Sequence, residues 1–217
     1  MIWLFDLDNT LVDRQAAFRA WAAGEVGARG GDDADLAAIV AADDGGFSRK
    51  EDLAAVVRER LGWELSVPET IAAFRAGIRA NIAAYPGVAG TLDTLRARGE
   101  KTAVVTNGVA HQQRGKLALS GIDRRVDAVV VSGEVGVEKP DPRMVALALE
   151  ALGETDAPRD AVWMIGDAAH ADVAVGQAAG VRTAWISHGR VWDGAAERPD
   201  IAARSTVAAI AEISRRS

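Results

Sequence analysis

Asp6 and Asp8 stand one residue apart in the stretch IWLFDLDNTLVD, directly behind a run of four apolar residues. Carboxylates rarely enter an apolar interior without partners, and two that point the same way repel each other, so folding stability alone does not favour the pair. In an extended segment, residues i and i+2 project to one side, which aims both acids at whatever lies beyond the strand end. A positive group there removes the conflict. Other candidates stand behind other apolar runs. Thr106-Asn107-Gly108 follows TAVV. Asn-Gly is hairpin chemistry, but VAHQQRGKLALS behind it has helical spacing. The tripeptide therefore reads as a strand-to-helix loop whose hydroxyl and backbone N–H groups suit an oxyanion. Lys139 precedes Pro140-Asp141-Pro142; the prolines stiffen the chain, and a fixed ammonium there would complement Asp6 and Asp8. Asp167 follows AVWMIG, with Asp172 one turn further on. Each residue also has a plain reading as turn former, helix cap or solvated surface group. Their convergence on strand ends favours chemistry. Several carboxylates at one sheet edge need a hard cation, and oxygen donors without cysteine favour Mg²⁺.

The elements that must position these groups are short β-branched or apolar runs: IWLF, TAVV, DAVVV, AVWMI and VRTAWI. Each ends in polar or glycine residues, and most lead into a helix-like segment. That alternation predicts an α/β fold with a parallel sheet and helices on both faces, in which ligands bind at the carboxyl ends of the strands. HQQRGKLALSG and DPRMVALALEALG read as crossover helices stopped by glycine, the second with Asp141 as cap and Pro142 in its first turn. Residues 14 to about 85 break the alternation. Ser48-Arg49-Lys50-Glu51 and Ser66-Val67-Pro68-Glu69 are capping-box patterns, and Ile71, Phe74, Ile78 and Ile82 follow one helix face. This predicts an all-helical domain, residues 15–85, inserted into an α/β core made of residues 1–14 and 86–217, with hinges near 13–15 and 84–87.

At 217 residues and 22.8 kDa the chain is long enough for one core with a smaller insertion. A net charge of −6 offers no basic surface for a nucleic-acid backbone, which excludes nucleic acid as the expected main partner. No cysteine means no disulfide, thiol nucleophile or thiolate metal site. The first apolar run is too short for a signal peptide or membrane span, so no membrane partner and a cytoplasmic location are expected. The three histidines, His111, His170 and His188, are scattered among separate loops and read as surface or supporting residues, while Trp163 and Trp185 read as core.

In this order and spacing, DLDNTLV, VVTNG, the lysine of VEKPDP and IGDAAHADVAVGQAAG resemble the four motifs of the haloacid dehalogenase superfamily of phosphohydrolases. The resemblance implies a Rossmann-like core with an inserted helical cap that closes over the site and selects the substrate. It implies Asp6 as nucleophile forming an aspartyl-phosphate, and Asp8 as the acid that protonates the leaving oxygen and then the base that activates water. It further implies Mg²⁺ held by Asp6, the backbone carbonyl of Asp8 and Asp167, with Asp172 nearby as ligand or through water. Thr106, the backbone near Asn107, and Lys139 would hold the other phosphoryl oxygens.

Departures from the family pattern carry information too. The family's dehalogenases lack an acid at the position of Asp8, because displacing halide needs no proton donor. Mutase-like relatives often carry an acid where this chain has Gly166, which favours a simple phosphatase. A serine common in the family is Ala168 here, removing one hydrogen bond near the metal. Within the inserted segment, Phe18, Trp21, Phe47, Arg49 and Lys50 are the residues to inspect for substrate contacts. The stretches around VVTNG and VEKPDP are similar to the branch with pyrimidine nucleotidases and phosphoglycolate phosphatases. The expected partner is a small phosphorylated metabolite such as a nucleotide, sugar phosphate or phosphoglycolate, bound by a monomer or homodimer. The competing readings are a 2-haloacid dehalogenase, a phosphotransferase and a binding relic of the fold that has lost turnover.

Overall fold

The computed structural model describes residues 1–192 and 198–216, so residues 193–197 and 217 of the expected core range lie outside the described residues. Two compact units are present: Met1–Val12 with Ala84–Ser217, and Asp13–Ala83.

The first unit is built on a six-stranded, all-parallel sheet. Its strands are β1 (Ile2–Phe5), β2 (Lys101–Thr106), β3 (Ala128–Val131), β4 (Val162–Gly166), β5 (Arg182–Ile186) and β6 (Ile201–Ala203), in the order β3-β2-β1-β4-β5-β6. The five expected strands form, and β6 is a sixth that the sequence pattern did not announce. β1 lies between β2 and β4, with Phe5 opposite both Val104 and Ile165. Successive connections run outward on one side of β1 and then on the other, so the carboxyl end of β1 is the switch point of the sheet, where open α/β sheets bind ligands.

Strand periodicity explains the core. Ile2 and Leu4 join Ala103, Val105 and Met164 on one face, covered by Met144, Val145, Ala148 and Leu149. Those four come from one side of an amphipathic helix at Arg143–Leu152. Trp3 and Phe5 point the other way, stacked at a ring separation of 6.5 Å. Trp163 and Trp185 are buried, as the sequence predicts. The helix before β2 spans Val88–Ala97, the one behind it Ala110–Ser120, and the last Thr206–Arg216. Gly121 and Gly153 end their helices in the left-handed conformation. Asp141 sits one residue further out than a cap: Pro142 is the cap, and the Asp141 carboxylate accepts from Arg143 N at 2.9 Å.

The second unit consists of helices Arg14–Ala28, Asp33–Asp43, Lys50–Leu61 and Val67–Asn81. Phe18, Trp21 and Phe74 pack with ring centroids 5.5–6.4 Å apart. Phe18 and Trp21 are therefore core residues of this unit, whereas Phe47 and Arg49 are exposed. A buried Arg14–Asp43 ion pair lies in the same unit, with the guanidinium over the Phe18 ring at 5.3 Å. Burying two charges together is tolerable only when both are fully engaged, as here. Ser66 and Glu69 form the expected capping box. Ser48 does not: the positive-φ Gly45 and Gly46 delay the helix start until Lys50, leaving Arg49 as a cap without a side-chain bond.

Among the described residues, no helix is long and apolar enough to cross a membrane.

Candidate active site

Asp6 continues β1 by one residue, its N–H donating to Ile165 O at 2.8 Å, which fixes its carboxyl at the switch point. Lys139 Nζ donates to Asp6 Oδ1 at 2.7 Å, to Asp172 Oδ1 at 2.7 Å and to Val105 O at 2.8 Å. An ammonium has three protons, and this one has placed all of them. The lysine is held in turn by Asn107, whose side chain donates to Lys139 O at 2.9 Å and accepts from Lys139 N at 2.8 Å. The Asn107 side chain thus clamps the lysine backbone.

Asp167 follows β4, and its backbone carbonyl accepts from Trp185 Nε1 at 2.9 Å. Asp172 lies in a π-helical turn, Ala169–Val173, with one carboxylate oxygen on Lys139 and the other accepting from Ala168 N at 2.9 Å. Gly166 is required by this packing, since a Cβ there would collide with the Asp172 carboxylate. The same collision explains why an acid in place of Gly166 would not fit this arrangement. One oxygen from each of Asp6, Asp167 and Asp172 lies within 4.8 Å of the others, and all three residues are buried.

Three carboxylates to one buried ammonium is an excess of negative charge, and the acid strengths reflect it. Burial raises Asp6 to about 7, Lys139 opposing and the Asp172 charge reinforcing that shift. Burial likewise raises Asp167 to about 8, with the Asp172 and Asp6 charges adding to it. For Lys139, burial disfavours the charge, but Asp172 and Asp6 outweigh it and the net shift is upward. The donor set is all oxygen, hard and electron-rich, which fits a small divalent cation of the Mg²⁺ type.

Asp8 does not share the Lys139 ammonium, contrary to the expectation from sequence. Its Oδ2 accepts from Lys116 Nζ at 2.5 Å and from Gln113 Nε2 at 3.3 Å. Lys139 instead takes Asp172 as its second acid: its backbone is clamped by Asn107, just beyond β2, and its Nζ is also held by Val105 O within that strand. The chain beyond Asp8 turns sharply: Asn9 has φ 56°, Asn9 N donates to Val12 O at 2.8 Å, and Val12 N to Leu7 O at 3.0 Å. His188 Nε2 lies 2.6 Å from Asn9 O, and Thr206 Oγ1 donates to Thr10 O at 2.7 Å. The turn that presents Asp8 is thereby fixed from two other elements.

Thr106 ends β2, and its hydroxyl accepts from Gln113 Nε2 at 2.6 Å. Sequence reasoning missed Lys116, Gln113 and Arg190. Arg190 donates to the Asp167 carbonyl at 2.8 Å and to its carboxylate at 3.1 Å, and lies over the Trp185 ring at 5.4 Å. For Lys116 and Gln113 a signal exists: both share a helix face with the core residue Leu117. Arg190 sits in an irregular loop with no such pattern.

A family model described as haloacid dehalogenase-like hydrolase matches residues 2–180. The chain belongs to the haloacid dehalogenase-like hydrolases. It is 43% identical over 105 residues to a phosphoserine phosphatase of Thermus thermophilus, covering 48% of this chain and 41% of that protein. It is 36% identical over 102 residues to the pyrimidine 5'-nucleotidase YjjG of Escherichia coli, covering 47% and 44%. The chain thus spans less than half the length of these two relatives. Among solved structures, the Bacillus subtilis HAD-hydrolase YfnB bound to magnesium superposes with a TM-score of 0.78 at 21% identity, covering 98% of this chain and 97% of that one. Dehalogenases, two 2-haloacid dehalogenases among them, share the fold at 18–23% identity, with TM-scores of 0.61–0.71.

Proposed function

We propose that this hydrolase is a Mg²⁺-dependent phosphomonoesterase that acts on a small phosphorylated metabolite through an aspartyl-phosphate on Asp6. The observation that carries the reading is the presence of two acids with separate partners. Asp6 lies in the cation-seeking cluster beside Lys139, and Asp8 is anchored on Lys116 outside it.

Asp6 would attack phosphorus in line, its charge balanced by Lys139. Asp8 would deliver a proton to the leaving oxygen and then take one from the water that hydrolyses the acyl phosphate. Thr106 Oγ and the backbone at Asn107 would hold the non-transferred oxygens. Lys139 would favour the anion through its field, and by a direct bond only on releasing one of its three present acceptors. Asp6, Asp167 and the Asp8 carbonyl would hold the metal, with Asp172, whose oxygens are both engaged, acting through water. When bound, the ion supplies charge neutralisation for the carboxylates and the phosphoryl oxygens. The inserted helical unit would serve as the cap.

Hydrolytic dehalogenation is the second reading, favoured by shared fold. A halide leaves without a proton, so that reaction has no use for the Asp8–Lys116 arrangement. The relatives named as phosphatases act on chemically diverse phosphates, which keeps the substrate at the level of a small phosphorylated metabolite. The test is phosphate release from p-nitrophenyl phosphate and a metabolite panel with Mg²⁺. Asp6→Asn should reduce turnover to background, and Asp8→Asn should lower kcat by about 10²–10⁴. Undiminished turnover in Asp6→Asn would remove the nucleophile assignment, and halide release from a 2-haloacid surviving Asp8→Ala would favour the dehalogenase.

A further inference from the structure

We infer that Lys116 and Gln113 form a polarity relay that fixes the Thr106 hydroxyl as a hydrogen-bond donor to the phosphoryl group. Both are positioning residues, and the inference rests on the phosphatase reading because it places a phosphoryl oxygen beyond Thr106.

An ammonium can only donate, so the Gln113 amide atom 2.8 Å from Lys116 Nζ is the oxygen. Heavy-atom positions alone leave the two ends of an amide hard to tell apart, but here the lysine decides between them. The other end is therefore the amino group, and it stands 2.6 Å from Thr106 Oγ1. A second contact agrees, since the same nitrogen approaches Asp8 Oδ2, another acceptor, at 3.3 Å. Thr106 Oγ1 thus receives a hydrogen bond from inside the protein and keeps its own proton for another acceptor. Its present outlet is a 3.5 Å approach to Asn107 O, at the long limit of a hydrogen bond. The relay is rooted in Asp8, which holds the ammonium at 2.5 Å.

Burial supports a role beyond solubility. Gln113 and Lys116 are 2% and 7% exposed, on a helix face that could have been apolar. Removing such groups from water is unfavourable unless they are hydrogen-bonded, and these bonds converge on two site residues. Reversing the amide would turn the Thr106 proton inward and present lone pairs to an anion.

Gln113→Glu makes that reversal with nearly the same shape, and Lys116 remains as a charge partner. Inorganic phosphate is titrated calorimetrically, with Mg²⁺, into the full chain carrying Gln113→Glu, Thr106→Val, both, or neither. Gln113→Glu should weaken phosphate binding about tenfold or more, as Thr106→Val does, because one bond to a charged ligand is lost. The double variant should lose no more than either alone. Lys116→Met, which leaves the amide free to turn, should show a smaller loss that vanishes in the Thr106→Val background; it decides the matter if Gln113→Glu does not fold. Unchanged affinity in Gln113→Glu, additive losses in the double variant, or no phosphate binding by the wild type would overturn the relay. Failure of the phosphatase reading looks different: the wild type would hydrolyse no ester while the phosphate cycle stayed intact.

Discussion

Two buried lysines reach the carboxyl end of the sheet, and they are surrounded differently. Lys139 has two carboxylates and a backbone carbonyl around it, with Asp167 close by, so its neighbourhood carries more negative charge than it can balance. Lys116 meets one carboxylate and one neutral amide and is balanced. The first arrangement leaves carboxylates in excess, even with Arg190 on Asp167, and a further cation would offset them. The second stands by itself and spends its hydrogen bonds on orientation. The same residue type thus gives a charge sink in one place and a compass in the other, and the count of surrounding acids distinguishes them.

The largest expected effect tests the charge excess. Asp6 and Asp167 are raised to about 7 and about 8 in the folded protein, whereas in the unfolded chain they titrate near 3.8. Between those values the native state binds more protons than the unfolded one, so without metal stability falls as pH rises from about 4 to about 8. Saturating Mg²⁺, by binding the deprotonated form, should flatten that slope. Thermal unfolding across this range, with chelator and with Mg²⁺, measures both curves; two superimposable curves would remove the cluster as a cation site.

Next in size is Lys139→Met. It leaves two buried carboxylates without their counter-ion and should lower stability by about 3–5 kcal/mol in urea denaturation with chelator present. Lys116→Met should lower it less, about 1–3 kcal/mol, because it strands one partly exposed carboxylate and one amide. Equal losses would erase the distinction between the two lysines. The smallest effect is that of Arg190→Ala. Its guanidinium competes for the Asp167 carboxylate, but its side chain is 44% exposed and screened by solvent. Its removal should tighten Mg²⁺ binding by no more than a few-fold, read by calorimetry.

The difference between the lysines also marks what sequence reading reaches. Lys139 is legible because two prolines and a strand end give it a setting that a surface lysine lacks. Asp6 and Asp167 stand out because each closes an apolar run, and Asp172 because it lies one turn beyond Asp167. Lys116 and Gln113 lie in mid-helix, where polar residues at helical spacing ordinarily face solvent, and their shared face with Leu117 is the one local sign that they turn inward. The expectation that one ammonium serves both Asp6 and Asp8 came from that gap. β6 escaped because three residues, Ile-Ala-Ala, are too few to display strand alternation. The capping box assigned to Ser48 failed for a backbone reason: the Gly45–Gly46 turn sets where the helix begins, and a four-residue pattern does not contain it.

The turn beyond Asp8 holds a further consequence. Val12 forms an antiparallel bridge with Ala84, and Tyr85 N donates to Leu11 O at 3.0 Å. The chain therefore leaves the sheet unit and re-enters it through neighbouring backbone positions, the separation that a tight hairpin spans. Seventy-one residues lie between two points that a short turn could join. The sheet unit is in this sense self-contained: its own backbone bonds join the two points where the chain leaves and returns, and the strand register that sets Asp6 is made without the segment between them.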